Sequence, residues 1–126
     1  MGQSIAGAVQ RVWRHTPLWR VLLAVALIGI LVLSLMPPTP QMPTTGWDKS
    51  NHALGFGVLA FLGLRAWPRH TVPVLAALLA YGGLIEVLQS FTPDRVAEWA
   101  DLWADAAGLF IGCAAHWATV KLAGQP

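Results

Sequence analysis

Charge is what this chain has least of. Asp, Glu, Lys and Arg make up only 11% of its 126 residues, against roughly 25% in a typical soluble domain. Eight basic and six acidic side chains cannot cover the surface of a 13.6 kDa globule, which excludes an ordinary soluble fold. Cysteine is nearly absent as well. Cys113 stands alone, so a disulfide-stapled scaffold is excluded and the redox compartment is not encoded. Disorder is excluded by the opposite property, a hydrophobic content of 56% and a mean hydropathy of +0.56. The net charge of +2 gives no support to nucleic acid as a partner. The chain has no Gly-rich phosphate loop, no Ser/His/Asp pattern, no haem-type Cys motif, no HExxH and no Cys pair. No metal and no cofactor is therefore expected.

What the sequence does hold is four apolar stretches separated by short polar breaks, at about 17–36, 51–67, 72–91 and 99–120. A bilayer core about 30 Å thick needs roughly 17–25 helical residues, and period-2 alternation, the mark of strands, is missing. The expectation is an all-α, polytopic integral membrane protein, a four-transmembrane-helix bundle forming one domain over 1–126. The Pro37-Pro38-Thr39-Pro40 run ends the first helix, since proline lacks the N–H donor and clashes with the preceding turn. Arg11, Arg14 and Arg20 ahead of the uncharged block 21–35 also resemble a signal peptide. The block reaches spanning length without a convincing cleavage site, which favours a retained helix.

Six basic residues (Arg11, Arg14, Arg20, Arg65, Arg69, Lys121) fall on one side of such a bundle, and Lys49 and Arg95 on the other. The positive-inside rule then puts both termini in the cytoplasm, with the 37–50 and 92–98 connections outside. All six acids fall toward the outer face. Trp13, Trp19, Trp67 and Trp117 suit an inner aromatic belt, and Trp47, Trp99 and Trp103 an outer one.

The outer side also collects the candidate site. Asp48 and His52 are one helical turn apart, with Phe56 continuing the stripe. Gly82, Glu86 and Gln89 share a face of the third stretch, and Glu98, Asp101, Asp105, Gly108 and Gly112 form a stripe on the fourth. Gly108 and Gly112 are expected to pack against a neighbouring helix, and Cys113 and His116 to be packed passengers. Glu86 lies roughly 7–8 Å along the axis from Phe91, inside the membrane, where an acid is functional or paired by default.

Glu86-x-x-Gln89-x-Phe91-x-Pro93-Asp94-Arg95, with Asp101 six residues beyond the arginine and Gly108 seven beyond that, resembles the VanZ-like family. Asp48-Lys49-x-x-His52-x-x-x-Phe56 resembles the entry to that family's second helix. Asp105 and Glu98 depart from it, standing where asparagine and serine are usual. The resemblance implies a phenotype class, teicoplanin-type glycopeptide resistance, and no reaction.

Three readings follow. In the favoured one the protein is not an enzyme. Its outward polar cluster (Asp48, Lys49, His52, Glu86, Gln89, Arg95, Asp101, Asp105) binds a lipid-linked envelope component or a membrane protein. Lys49, His52 and Arg95 would hold anionic groups, with Arg95 matching phosphate or carboxylate, while Glu86 and Asp101 fix those side chains. The alternative is a membrane-embedded hydrolase or transferase with Glu86 and His52 as acid-base groups. A metal bound by His52, Glu86, Asp101 and Asp105 is chemically plausible but has no motif behind it.

Overall fold

The structure, a computed structural model, describes residues 4–42, 44–46 and 48–124. Among the described residues it is entirely helical: α1 (Ile5–Arg14), α2 (Thr16–Leu35), α3 (Asp48–Ala66), α4 (Thr71–Ser90) and α5 (Trp99–Leu122). Helices α2 to α5 are the four apolar stretches. Helix α1 is additional. Ser4 caps it, its hydroxyl accepting the Gly7 N–H at 3.2 Å. Ile5, Val9 and Val12 recur at helical spacing and are exposed. Helix α3 begins at Asp48, three residues before the apolar stretch, because a first-turn carboxylate suits a helix N-terminus.

Helices α2 and α4 are long and apolar enough to cross a membrane, by length and composition. Around an apolar core, the burial pattern departs from that of a water-soluble protein. Arg65, Glu86, Gln89, Asp101, Asp105 and His116 are buried, while Val21, Val25 and Ile28 of α2, Val72 and Leu84 of α4, and Phe110 and Ile111 of α5 are exposed. Side chains facing lipid gain nothing from being polar, and polar groups in hydrocarbon must find partners inside the protein.

Helix α3 is central, packed by α2, α4 and α5, with Phe56, Leu59, Ala60 and Leu64 in the core. Helices α3 and α5 run parallel at close range. A Cβ on Gly108 would strike the backbone of Ala53, and one on Gly112 the carbonyl of Gly57 and the side chain of Ala60. Small residues permit this approach, as at helix interfaces in lipid. On α4, Tyr81 Oη donates to the Leu27 carbonyl at 2.5 Å and Gln89 Nε2 to that of Ser34 at 2.9 Å, two ties to α2.

The end bearing Arg65 is built from arginine and tryptophan. The Arg65 guanidinium lies 4.4 Å from the Trp13 ring centroid and also bonds the Trp13 carbonyl. Arg20 lies 4.9 Å from the Trp67 ring. Trp19 Nε1 donates to the Val12 and Trp13 carbonyls, so the last turn of α1 is satisfied by α2 and α3. Of the expected outer aromatics, Trp99 and Trp103 are exposed, whereas Trp47 lies outside the described residues.

Candidate functional site

Because α3 and α5 run parallel, their N-terminal turns meet at one end of the bundle, each bringing acids. Lys49 sits between them. Its Nζ is 2.7 Å from Glu98 Oε2, in direct contact with Asp101 Oδ1, and 3.8 Å from Asp48 Oδ2. One turn further in, His52 Nδ1 lies 2.8 Å from Asp105 Oδ1. The other ring nitrogen, Nε2, lies 3.5 Å from Asp101 Oδ2 and 4.0 Å from Asp48 Oδ2. Asp101 and Asp105 are buried, and the Asp48 side chain is exposed. Gly82 of α4 makes room for this pair of helices, since a Cβ there would lie 3.1 Å from Phe56 and against Asp105 Oδ2.

Beside this network a cavity of about 410 Å³ opens between α2, α3 and the end of α4, within the roughly 300–1,000 Å³ typical of ligand pockets. Ile30, Leu33, Leu54, Phe56 and Ile85 supply apolar walls, and Asp48, Asn51, His52, Gln89 and Arg95 supply polar groups. The 44–46 segment folds over it through Asn51, whose Oδ1 accepts the Thr45 N–H at 2.7 Å and whose Nδ2 donates to Thr44 Oγ1 at 3.0 Å. Asn51 was not among the residues expected at the site. The available signal is its place three residues after Asp48, on the same helical face.

Four expectations are corrected by this geometry. Lys49 is not free to hold an anion, because Glu98 and Asp101 already engage it. Arg95 does not join Glu86 and Asp101. Its Nε donates to the Met36 carbonyl at 2.8 Å and its Nη2 to that of Leu33 at 2.7 Å, since the last carbonyls of α2 lack intrahelical donors and attract a cation. Glu86 fixes none of Lys49, His52 and Arg95. Its Oε2 instead accepts the backbone N–H of Glu98 at 2.9 Å, while Oε1 is buried without a partner among the described residues. Glu98 is the N-cap residue of α5, exposed and turned toward Lys49, so it leaves the stripe that Asp101, Asp105, Gly108 and Gly112 keep.

The expected residues thus separate into three groups. Asp48, Lys49, His52, Asp101 and Asp105 form one ionic network; Gln89 and Arg95 line the cavity and tie onto α2; Glu86 anchors the start of α5. Deeper in, His116 is buried between the Phe61 and Trp117 rings, with Nδ1 unpartnered among the described residues, and Cys113 is partly buried.

A family model described as VanZ/LLP1 matches residues 7–120 of the chain. No curated protein and no solved structure matches it.

Proposed function

Because the chain belongs to the VanZ/LLP1 family, we propose that it acts as a small multi-pass protein of a bacterial-type cytoplasmic membrane, with α2 to α5 spanning and both termini inside. Its outward cavity binds the polar head of a lipid-linked envelope component without chemical turnover. The apolar outer faces of α2, α4 and α5 and the six-to-two basic bias support the topology.

The observation that carries the binding reading is the mixed lining of the cavity. Aliphatic walls sit beside Asn51, His52, Gln89 and Arg95. Arg95 has only carbonyl and thioether contacts and no acidic partner among the described residues, and its Nη1 makes no hydrogen bond there. A guanidinium with spare donors and no counter-ion suits a phosphate or carboxylate. The apolar walls suit the first methylenes of a lipid tail. The family resemblance adds lowered teicoplanin sensitivity as the phenotype to measure.

Native mass spectrometry of protein extracted with its lipids tests this. Wild type should retain a lipid-linked species that Arg95→Gln and Asn51→Ala lose while remaining folded and helical. Equal retention by all three, or a retained protein in place of a lipid, overturns the reading.

One contact favours a second reading. His52 lines the cavity and is oriented by Asp105, the arrangement of an imidazole used as a general base. Turnover of a lipid-linked substrate that ceases in His52→Gln would support the hydrolase or transferase alternative.

A further inference from the structure

The carboxylates around His52 outnumber the cations that face them. Among the described residues, Asp48, Glu98, Asp101 and Asp105 meet a single lysine. That lysine takes one oxygen of Asp101, Oδ1, and leaves Oδ2 on the histidine side. Asp105 Oδ2, on the Gly82 side, is buried with no hydrogen-bond partner among the described residues. The Nδ1···Asp105 contact fixes the ring, because a carboxylate oxygen at 2.8 Å requires the hydrogen on Nδ1. In the neutral ring Nε2 then carries a lone pair, facing Asp101 Oδ2 and Asp48 Oδ2. Three electron-pair donors converge there with no hydrogen between them.

We infer that Asp48, His52 Nε2 and Asp101 Oδ2 form a binding site for a first-row divalent cation of the Zn²⁺ class, with Asp105 orienting the imidazole from behind. An imidazole combined with carboxylates selects such ions over Mg²⁺ or Ca²⁺, which prefer oxygen alone. A carboxylate on the distal ring nitrogen is the usual support of a metal-bound histidine.

The distances fit. Tetrahedral ligands at about 2.0 Å from zinc stand about 3.3 Å apart, and Nε2 to Asp101 Oδ2 is 3.5 Å. The three ligand atoms all lie within 4.8 Å of one another. The longer gaps involve Asp48, whose side chain is 66% exposed in the first turn of α3, so that a change of rotamer can close them. Asp48 and His52 also line the cavity, so the fourth coordination position opens onto it. The cation site stands whether or not the cavity takes an envelope ligand.

Metal-free, tag-free protein in nanodiscs, titrated with Zn²⁺ alone against a chromophoric chelator, provides the test. One Zn²⁺ per chain is expected, with Co²⁺ giving the visible bands of a low-symmetry nitrogen–oxygen site. His52→Ala and Asp101→Asn should abolish binding, and Asp105→Asn should weaken it about 10–100-fold. Asp48→Asn, at an exposed position, keeps the fold and should weaken binding at least tenfold. Lys49→Gln, which removes the competing cation, should tighten binding severalfold. His116→Ala and Cys113→Ser should leave it unchanged. No stoichiometric Zn²⁺ in wild type, binding that survives both His52→Ala and Asp48→Asn, or a preference for Mg²⁺ or Ca²⁺ overturns the site.

Discussion

Glu86 Oε2, near the end of α4, accepts the backbone N–H of Glu98 at 2.9 Å, so a buried carboxylate of one helix holds the residue that caps the next. The carboxyl group sits at the N-terminus of α5, where the helix dipole and otherwise unpaired N–H groups favour an acceptor. An acid in a membrane-embedded helix is costly, about 2.5–3.5 kcal/mol on insertion scales. Here part of that cost is offset by a backbone donor.

Substitutions at Glu86 separate anchoring from acid-base chemistry. Glu86→Gln keeps an acceptor for the Glu98 N–H, whereas Glu86→Ala leaves that donor unpaired, at about 1–3 kcal/mol. Both variants should reduce function, with glutamine the milder, and only alanine should lower the melting temperature by several degrees. A fully active, normally melting Glu86→Ala would remove Glu86 from the site.

The contact between α3 and α5 makes a sharper stability prediction. Gly112→Leu should destabilise by at least about 1–3 kcal/mol, because overpacking must push the backbones of Gly57 and Gly112 apart. Gly29→Ala, where nothing lies within 4 Å of the added carbon, should stabilise α2 by about 0.5–1 kcal/mol. Thermal melts in detergent measure both. Equal melting temperatures for the two variants would place α5 against something other than α3.

Much of this arrangement can be read in the sequence, because a helix imposes its period on whatever must be buried. Gly82, Glu86 and Gln89 on α4, and Asp101, Asp105, Gly108 and Gly112 on α5, are buried together, as spacings of three and four require. The pairing of Asp48 with His52 follows from the same rule. Three features could not be read that way. The targets of Arg95 are carbonyls of Leu33 and Met36, about sixty residues away, and every residue type offers the same carbonyl. The target of Glu86 is likewise a backbone N–H. Helix α1 is short, and Gln10, Arg11 and Arg14 interrupt its apolar residues. Its Ile5, Val9 and Val12 period is overshadowed by the far stronger apolar run of α2.

Arg95 closes the α4–α5 connection onto α2, so its removal should loosen that corner without unfolding the bundle. Arg95→Ala should cost about 1–2 kcal/mol, through lost charge-assisted bonds to the α2 carbonyls. Hydrogen exchange should rise at Leu35 and Met36 and in residues 92–98. Arg95→Lys restores the charge but not the planar fork that reaches two carbonyls at once, so it should recover only part of the protection. Unchanged exchange in Arg95→Ala would show that this corner is held by Gln89 and Ser34 alone.

The orientation of the bundle is testable at its two ends. Thr44 belongs to the segment folded over the cavity, and His70 precedes the first turn of α4 beside the arginine- and tryptophan-rich end. Arg11, Arg14, Arg20, Arg65, Arg69 and Lys121 gather toward the end of His70. Lysine and arginine resist translocation, so the end richer in them stays in the cytoplasm. In a Cys113→Ser background, a cysteine at position 44 should react with a membrane-impermeant maleimide in intact cells. One at position 70 should react only after permeabilisation. The reverse pattern would turn the cavity toward the cytoplasm, where no lipid-linked precursor displayed on the outer leaflet could reach it. Labelling of both positions in intact cells would mean that fewer than four helices cross the membrane.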